Sequence, residues 1–439
     1  MTALETLGLP RDLIEFIFEA AHIQRWNDHI RPQGFTELDK QAHKMMIMYV
    51  LARCEEQDHG VRLDWEVLVE GGIFEFLHRV VLTDIKPPIY HELMREKGPL
   101  LNKWVYRELE QRIPSLKGSH FMKKMRHYYD EKDHSLEKQI LRAAHYLATE
   151  WEFRIIYHMN EGIFGVEEIK STIRDELEEH YNLAGVQKIA MEGKTRKFVD
   201  LIGKLRFQKR WSQSPRVPET SVMGHVLVVA IMGYFCARKL GACRSRVVND
   251  FLGGLWHDLP EVLTRDIISP IKRSIEGLDD LIKEIENRQM KEILLPLLPD
   301  SWHGDIMNFT MHEFQNRIRK EGRVVLLTGD IPEAYNQDRY EPIDGAMLKG
   351  CDHLAAFMEA FLSIQCGITS SHLAGVIKAL PKQYEGKMIA GIPFDKVYEQ
   401  FTNTMKSQAV PSFFDVEKQI VYKIQKNTLS TLNCAIMCS

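Results

Sequence analysis

Along most of the chain, apolar residues return at intervals of three and four. In HVLVVAIMGYFCARKL, from His225 to Leu240, the residues Leu227, Val228, Ile231, Tyr234, Phe235 and Arg238 fall at helical spacing with a wide apolar face. The same rhythm predicts helices over Asp12–Gln24, Gln41–Glu56, Leu136–Tyr157, Lys197–Gln208, Leu278–Leu294 and Gly345–Gln365. Alternation of period two is scarce and hairpin signals are few, so the predicted fold class is all-α. Breakers mark the joins. SPRVPETS (Ser214–Ser221) places two prolines before a helix, with Thr220 or Ser221 as its cap. A second helix is expected to close near Pro299, and a polar loop to run from Thr328 to Gly345. NEGIFGVEEIKS, Asn160–Ser171, reads as the join between two halves.

Those halves read as a repeat. IQRW, with Arg25 and Trp26, is followed by segments carrying His43, His78–Arg79 and His145. FQKRW, with Arg210 and Trp211, is followed by segments carrying His225, His257–Asp258 and Asp352. Arginine to histidine spans 18 residues in the first series and 15 in the second, and histidine to histidine spans 35 and 32. The last interval is 67 against 95, which predicts an insertion of about 28 residues in the second copy. Domains are therefore expected at 1–165 (a degenerate copy), 166–400 (a catalytic copy) and 401–439 (a helical tail).

Composition narrows the function classes. The 439 residues are 44% hydrophobic and 27% charged, ordinary for a globular protein. Their net charge of −4 gives no electrostatic case for a nucleic-acid partner. No apolar run reaches about 18 residues, so no membrane span is expected, and the acidic start lacks the marks of a signal peptide. The 7 cysteines form no CxxC pair, which points to a reducing, cytoplasmic setting rather than a disulfide framework.

LWHDLPEVLTRDIISPIK, Leu255–Lys272, crowds ionisable groups against apolar ones. Singly, each residue has an ordinary reading: His225 as a core histidine, Asp352 as a helix cap or a partner of Lys349. Together, His225 on one helix, His257 and Asp258 on a second and Asp352 on a third form the set a bundle-core metal site needs. Two imidazoles and two carboxylates suit manganese, cobalt, iron, nickel or zinc, and one such divalent ion is expected. Adjacent residues of a helix point about 100° apart, so His257 and Asp258 are expected to share an ion only near a helix end.

The string HDLPEVLTRDIISPIK, the RW pair ahead of His225, and KGCDHLAAFMEA resemble the HD-domain metal-dependent phosphohydrolases, most of all the bacterial 5′-deoxynucleotidases. The resemblance spans about Lys197 to Gln365. It implies tandem HD-domain bundles, with His225, His257, Asp258 and Asp352 as metal ligands and Asp258 and Glu261 as the catalytic pair. It further implies that Arg210, Trp211, Asp266 and Lys272 contact substrate. Glu261 would orient or deprotonate water, or protonate the leaving 5′-oxygen. The implied substrate is a (deoxy)nucleoside 5′-monophosphate. The alternatives are a triphosphohydrolase or phosphodiesterase of the same superfamily, and a nucleotide-binding sensor with little turnover. Gly224 stands where the family has a glutamate, and the basic residues between Trp211 and His225 reduce mainly to Arg216. In the first copy the matching positions read as His43, His78, Arg79 and His145. An arginine beside the second histidine opposes a cation, so that copy is expected to be silent and to pair with the other as an intramolecular pseudo-dimer, the contact the two-fold dimers of the relatives make between chains.

Overall fold

The computed structural model describes residues 3–130, 134–265 and 275–407. They build an all-α fold with two small hairpins, Arg317–Lys320 with Arg323–Leu326 and Met388–Ile389 with Ile392–Pro393. The predicted helices are present at Arg11–Glu19, Glu37–His59, Leu136–Asn160, Lys194–Gly203, Leu278–Gln289 and Gly345–Gln365. Polar caps start several of the long ones. Thr36, Asp64, Ser135, Ser221 and Ser370 each accept a backbone N–H from the first turn of the helix that follows. Asp266, Lys272 and the tail beyond Ser407, including the helix expected there, lie outside the described residues.

At the centre runs the helix Val222–Lys239. Its residues from Val222 to Ala237 are all buried, because it is apolar on every face. By length and hydropathy it would suffice to cross a membrane, but 89% of it is enclosed by the rest of the protein. Glu37–His59, Arg244–Trp256 and Gly345–Gln365 pack around it. One apolar core joins residues from Leu9 to Phe401, so both halves of the chain share it.

Close approach sets the crossing of Val222–Lys239 with Arg244–Trp256. A Cβ on Gly254 would lie 2.7 Å from the Cα of Ala230, and one on Gly233 3.2 Å from the carbonyl oxygen of Asp250. Only hydrogen fits at Gly254, and at Gly233 a Cβ would press on the Asp250 backbone. Gly345–Gln365 is then tied to the second helix by polar bonds. The buried Arg246 guanidinium grips Asp344 through Nε at 2.6 Å and Nη2 at 2.8 Å, and the Asp344 N–H donates to Asp250 at 2.7 Å. The insertion between the second and third of these helices folds around buried Arg317, which donates to the backbone carbonyls of Asn308, His312 and Gln315. Its hairpin was not legible in the residue pattern, because Val324, Val325 and Leu326 are exposed and show no in–out alternation.

Substituting Gly254 with valine forces the two helices apart. A loss of about 1–3 kcal/mol in stability is expected, read as a lower urea midpoint. Buried carboxylates supply a second test. Glu37 and Glu152 both hold Arg25, with Glu37 also facing Arg79 and Glu152 also bound by Arg206. Burial alone would raise their pKa values, but these cations bring both to about 2, below the ordinary 4.5. Their contribution to stability is complete above pH 4.5 and is lost as pH falls toward 2. Melting temperature is therefore expected to fall across that window, and less steeply in Glu152→Gln.

Candidate metal centre

The glycine crossing delivers two histidines to one place. His257 follows Gly254 by three residues and caps the end of Arg244–Trp256, while His225 lies one turn into its own helix. The chain turns sharply after His257, and this lets neighbouring residues His257 and Asp258 face the same point. His257 Nδ1 donates to the Gly254 carbonyl at 2.8 Å. A carbonyl only accepts, so in the neutral ring the lone pair sits on Nε2, facing the cluster. Asp352, two turns beyond Asp344, brings its Oδ1 to 3.1 Å from His225 Nε2.

One ligand atom each from His225, His257 and Asp352 falls within 4.8 Å of the others. Asp258 Oδ2 lies 3.2 Å from His257 Nε2 and 3.9 Å from His225 Nε2. Both histidine side chains are buried, and the aspartates are mostly so. Burial pushes Asp258 and Asp352 upward, but His257 for the first and Lys349 for the second hold them below the ordinary range. Nitrogen and carboxylate donors converging in a largely buried cluster fit a first-row divalent ion.

Arg210 and Trp211 lie next to this cluster, and one carboxylate fixes both. Glu359 sits seven residues after Asp352, on the same face of the helix. It accepts from Trp211 Nε1 at 2.7 Å, Arg210 Nε at 3.3 Å and Thr220 Oγ1 at 2.7 Å. Burial would raise its pKa, but Arg210, Arg216 and His225 bring it to about 2. Held in this way, Arg210 Nη1 reaches 3.7 Å from Asp258. Arg216 is buried and donates to the Arg210 carbonyl and to Thr220, so it braces this loop. Glu261 is buried at the start of the short helix Glu261–Thr264, one turn past Asp258, and its carbonyl accepts from Gln208 at 3.1 Å. Sequence reasoning passed over Glu359, although a carboxylate inside the apolar run FMEAFL was a signal. Phe314 was missed as well. Its ring centroid lies 5.6 Å from that of His257, and Lys349 Nζ sits 3.9 Å from the centroid of Phe314 and 2.9 Å from Asp352 Oδ2. The ion pair of Asp352 with Lys349 therefore exists alongside its contact with His225. Gly224 has no room for a glutamate, since a Cβ there would lie 2.8 Å from Asp39 Oδ1.

In the first half, His43, His78, Arg79 and His145 are engaged separately. His43 contacts the Val199 carbonyl, His78 contacts Asn102, Arg79 donates to the Ile85 carbonyl, and His145 meets Lys40.

A family model described as HD domain matches residues 202–380. This part of the chain is similar to HD domains. A dATP triphosphohydrolase of Acinetobacter phage SH-Ab 15497 is 34% identical over 93 residues, which are 18% of this chain and 45% of the relative. The chain thus spans less than half of the phage protein. A 5′-deoxynucleotidase, PM0747 of Pasteurella multocida (strain Pm70), is 26% identical over 155 residues, 34% of this chain and 75% of that protein. No solved structure matches.

Replacing Glu359 with glutamine leaves the Arg210 guanidinium facing a neutral amide. Breaking such a buried pair costs about 3 kcal/mol. The expected result is a lower denaturation midpoint, with bound metal retained because Glu359 is not among the proposed ligands.

Proposed function

We propose that the chain is a metal-dependent phosphohydrolase acting on a nucleotide, with a (deoxy)nucleoside 5′-monophosphate as substrate. The observation that carries this reading is the convergence of His225, His257 and Asp352 ligand atoms within 4.8 Å, with Asp258 alongside. A divalent ion held there supplies charge neutralisation to the phosphoryl oxygens and makes water more acidic. The protein's own groups supply the rest. Arg210, pinned by Glu359, presents a planar cation suited to phosphate at the edge of the cluster. Lys349, paired with Asp352, brings a second cation. Glu261 orients or deprotonates water, or passes a proton to the leaving 5′-oxygen. Trp211, with its indole N–H spent on Glu359, offers its ring as a wall for base or sugar. The likeness to the Pasteurella 5′-deoxynucleotidase supports the monophosphate.

A triphosphohydrolase is the second reading. The likeness to the phage dATP triphosphohydrolase favours it, as does the insertion that sets Phe314 beside His257. A nucleotide panel assayed for both orthophosphate and tripolyphosphate separates the two. Orthophosphate from monophosphates, lost on chelation and restored by Mn²⁺ or Co²⁺, is expected. Asp258→Ala and Glu261→Ala should each lower turnover by about 10²–10⁴-fold with unchanged circular dichroism. Full metal-dependent turnover in both variants, or tight nucleotide binding without hydrolysis in the native chain, overturns the enzyme reading.

A further inference from the structure

The first half holds a polar cluster that the reaction does not use: the buried Lys40 and Lys44 with the half-buried Glu75 and His145. Its surroundings match those of the metal centre feature by feature. Arg25 and Trp26 both bind Glu152, as Arg210 and Trp211 both bind Glu359. Trp26 and Trp211 share a φ of 57°. The residue before each RW pair forms an isolated bridge to the following helix cap, Gln24 to Thr36 and Lys209 to Ser221. Each cap accepts from the N–H three residues on, from Asp39 and from Gly224. Four residues past the caps stand Lys40 and His225. Seven residues before Glu152 and Glu359 stand His145 and Asp352. Lys40 Nζ touches the His145 ring, 3.2 Å from Nε2, as His225 touches Asp352. Gly71–Gly72 and Gly253–Gly254 give the third register. Three residues beyond them come Glu75 and His257, and eleven beyond come Thr83 and Arg265. Both of the latter have positive φ and donate to the carbonyls of Arg79 and Glu261.

We infer that the N-terminal half is an internal counterpart of the HD domain in which lysine side chains fill the place of the metal ion. Lys40 stands for His225, Glu75 for His257, Phe76 for Asp258 and His145 for Asp352, while Lys44, one turn on, stands for Val229. This register replaces the one read from the histidines, in which His43 and His78 were the counterparts.

The chemistry of the exchange is consistent throughout. Phe76 removes one of the two carboxylates. His145 removes the other, and Glu75, which introduces a carboxylate at the place of His257, pairs with Lys44 and accepts from Tyr128. Burial, and next Arg25, push the Lys40 pKa well down, yet neither protonation state admits a metal. As an ammonium Lys40 repels a divalent cation, and as an amine it still occupies the cavity. The half therefore keeps the RW–glutamate frame and the capped helix while the ion is replaced by covalently attached nitrogen.

Two measurements test this. Crystals of the native chain grown with Mn²⁺ should give an anomalous peak among His225, His257 and Asp352 and none between Lys40, Glu75 and His145. A peak at the lysine cluster overturns the inference. The second measurement is independent of the proposed activity. In a chain whose own centre is removed by His257→Ala and Asp352→Ala, the substitutions Lys40→His, Lys44→Val, Glu75→His, Phe76→Asp and His145→Asp should restore one bound Co²⁺ per chain, seen in its visible absorption. A graft that folds by circular dichroism and takes up no Co²⁺ refutes the correspondence. Should the graft not fold, the anomalous map alone decides. Absence of metal from the native His225 cluster would instead count against the proposed function, and Co²⁺ uptake by the graft would then decide the correspondence.

Discussion

Backbone meets backbone where Gly254 crosses Ala230, and the placement of the candidate centre follows from that contact. The helix Val222–Lys239 is apolar on all sides and settles into the core without directional preference of its own. The glycines at 233 and 254 supply the direction, since the second helix nests only where hydrogens face the first. Once nested, His225 and His257 have little freedom left. The dense packing of protein interiors makes such a contact stiff, and a metal ligand benefits because its position is set before any ion binds.

Buried ion pairs hold the remaining elements in register with this crossing. Arg246 with Asp344 and Asp250 fixes the start of the Asp352 helix, and Glu359 fixes Arg210 and Trp211. Pairs of this kind seldom increase net stability over an apolar core, because desolvation offsets their attraction. Their use here is positional. A carboxylate with several donors accepts few alternative arrangements, so the Arg210 guanidinium reaches the cluster in one orientation.

Much of this was legible in the residues because it rests on local chemistry. The helical period located the long helices, Ser214–Ser221 narrowed the cap to Thr220 or Ser221, of which Ser221 serves, and the HD string with its RW pair falls within the residues, 202–380, that match the HD-domain model. What escaped depended on contacts distant in sequence. Glu359 acquires its role only when the Arg210 loop folds over it. Phe314 reaches His257 because Gly345 lets the Gln315 backbone pass closely, with a Cβ there only 2.3 Å from Gln315. In the first half, histidines attracted attention as ligand types, although His43 lies in the core against Trp151 at 5.0 Å between centroids. Lysines gave no metal signal, so Lys40 was passed over.

The two halves also depend on each other directly. Ser221 caps the His225 helix and at the same time donates its hydroxyl to Asp39 Oδ1 at 2.5 Å. Asp39 belongs to the first half and accepts from Thr36 as well. It is buried, and burial pushes its pKa up; the partial compensation comes from Arg206 and these hydroxyls. The start of the His225 helix therefore rests on a carboxylate from the first half, in the space that a side chain on Gly224 would need. The first half thus forms part of the wall against which His225 is set.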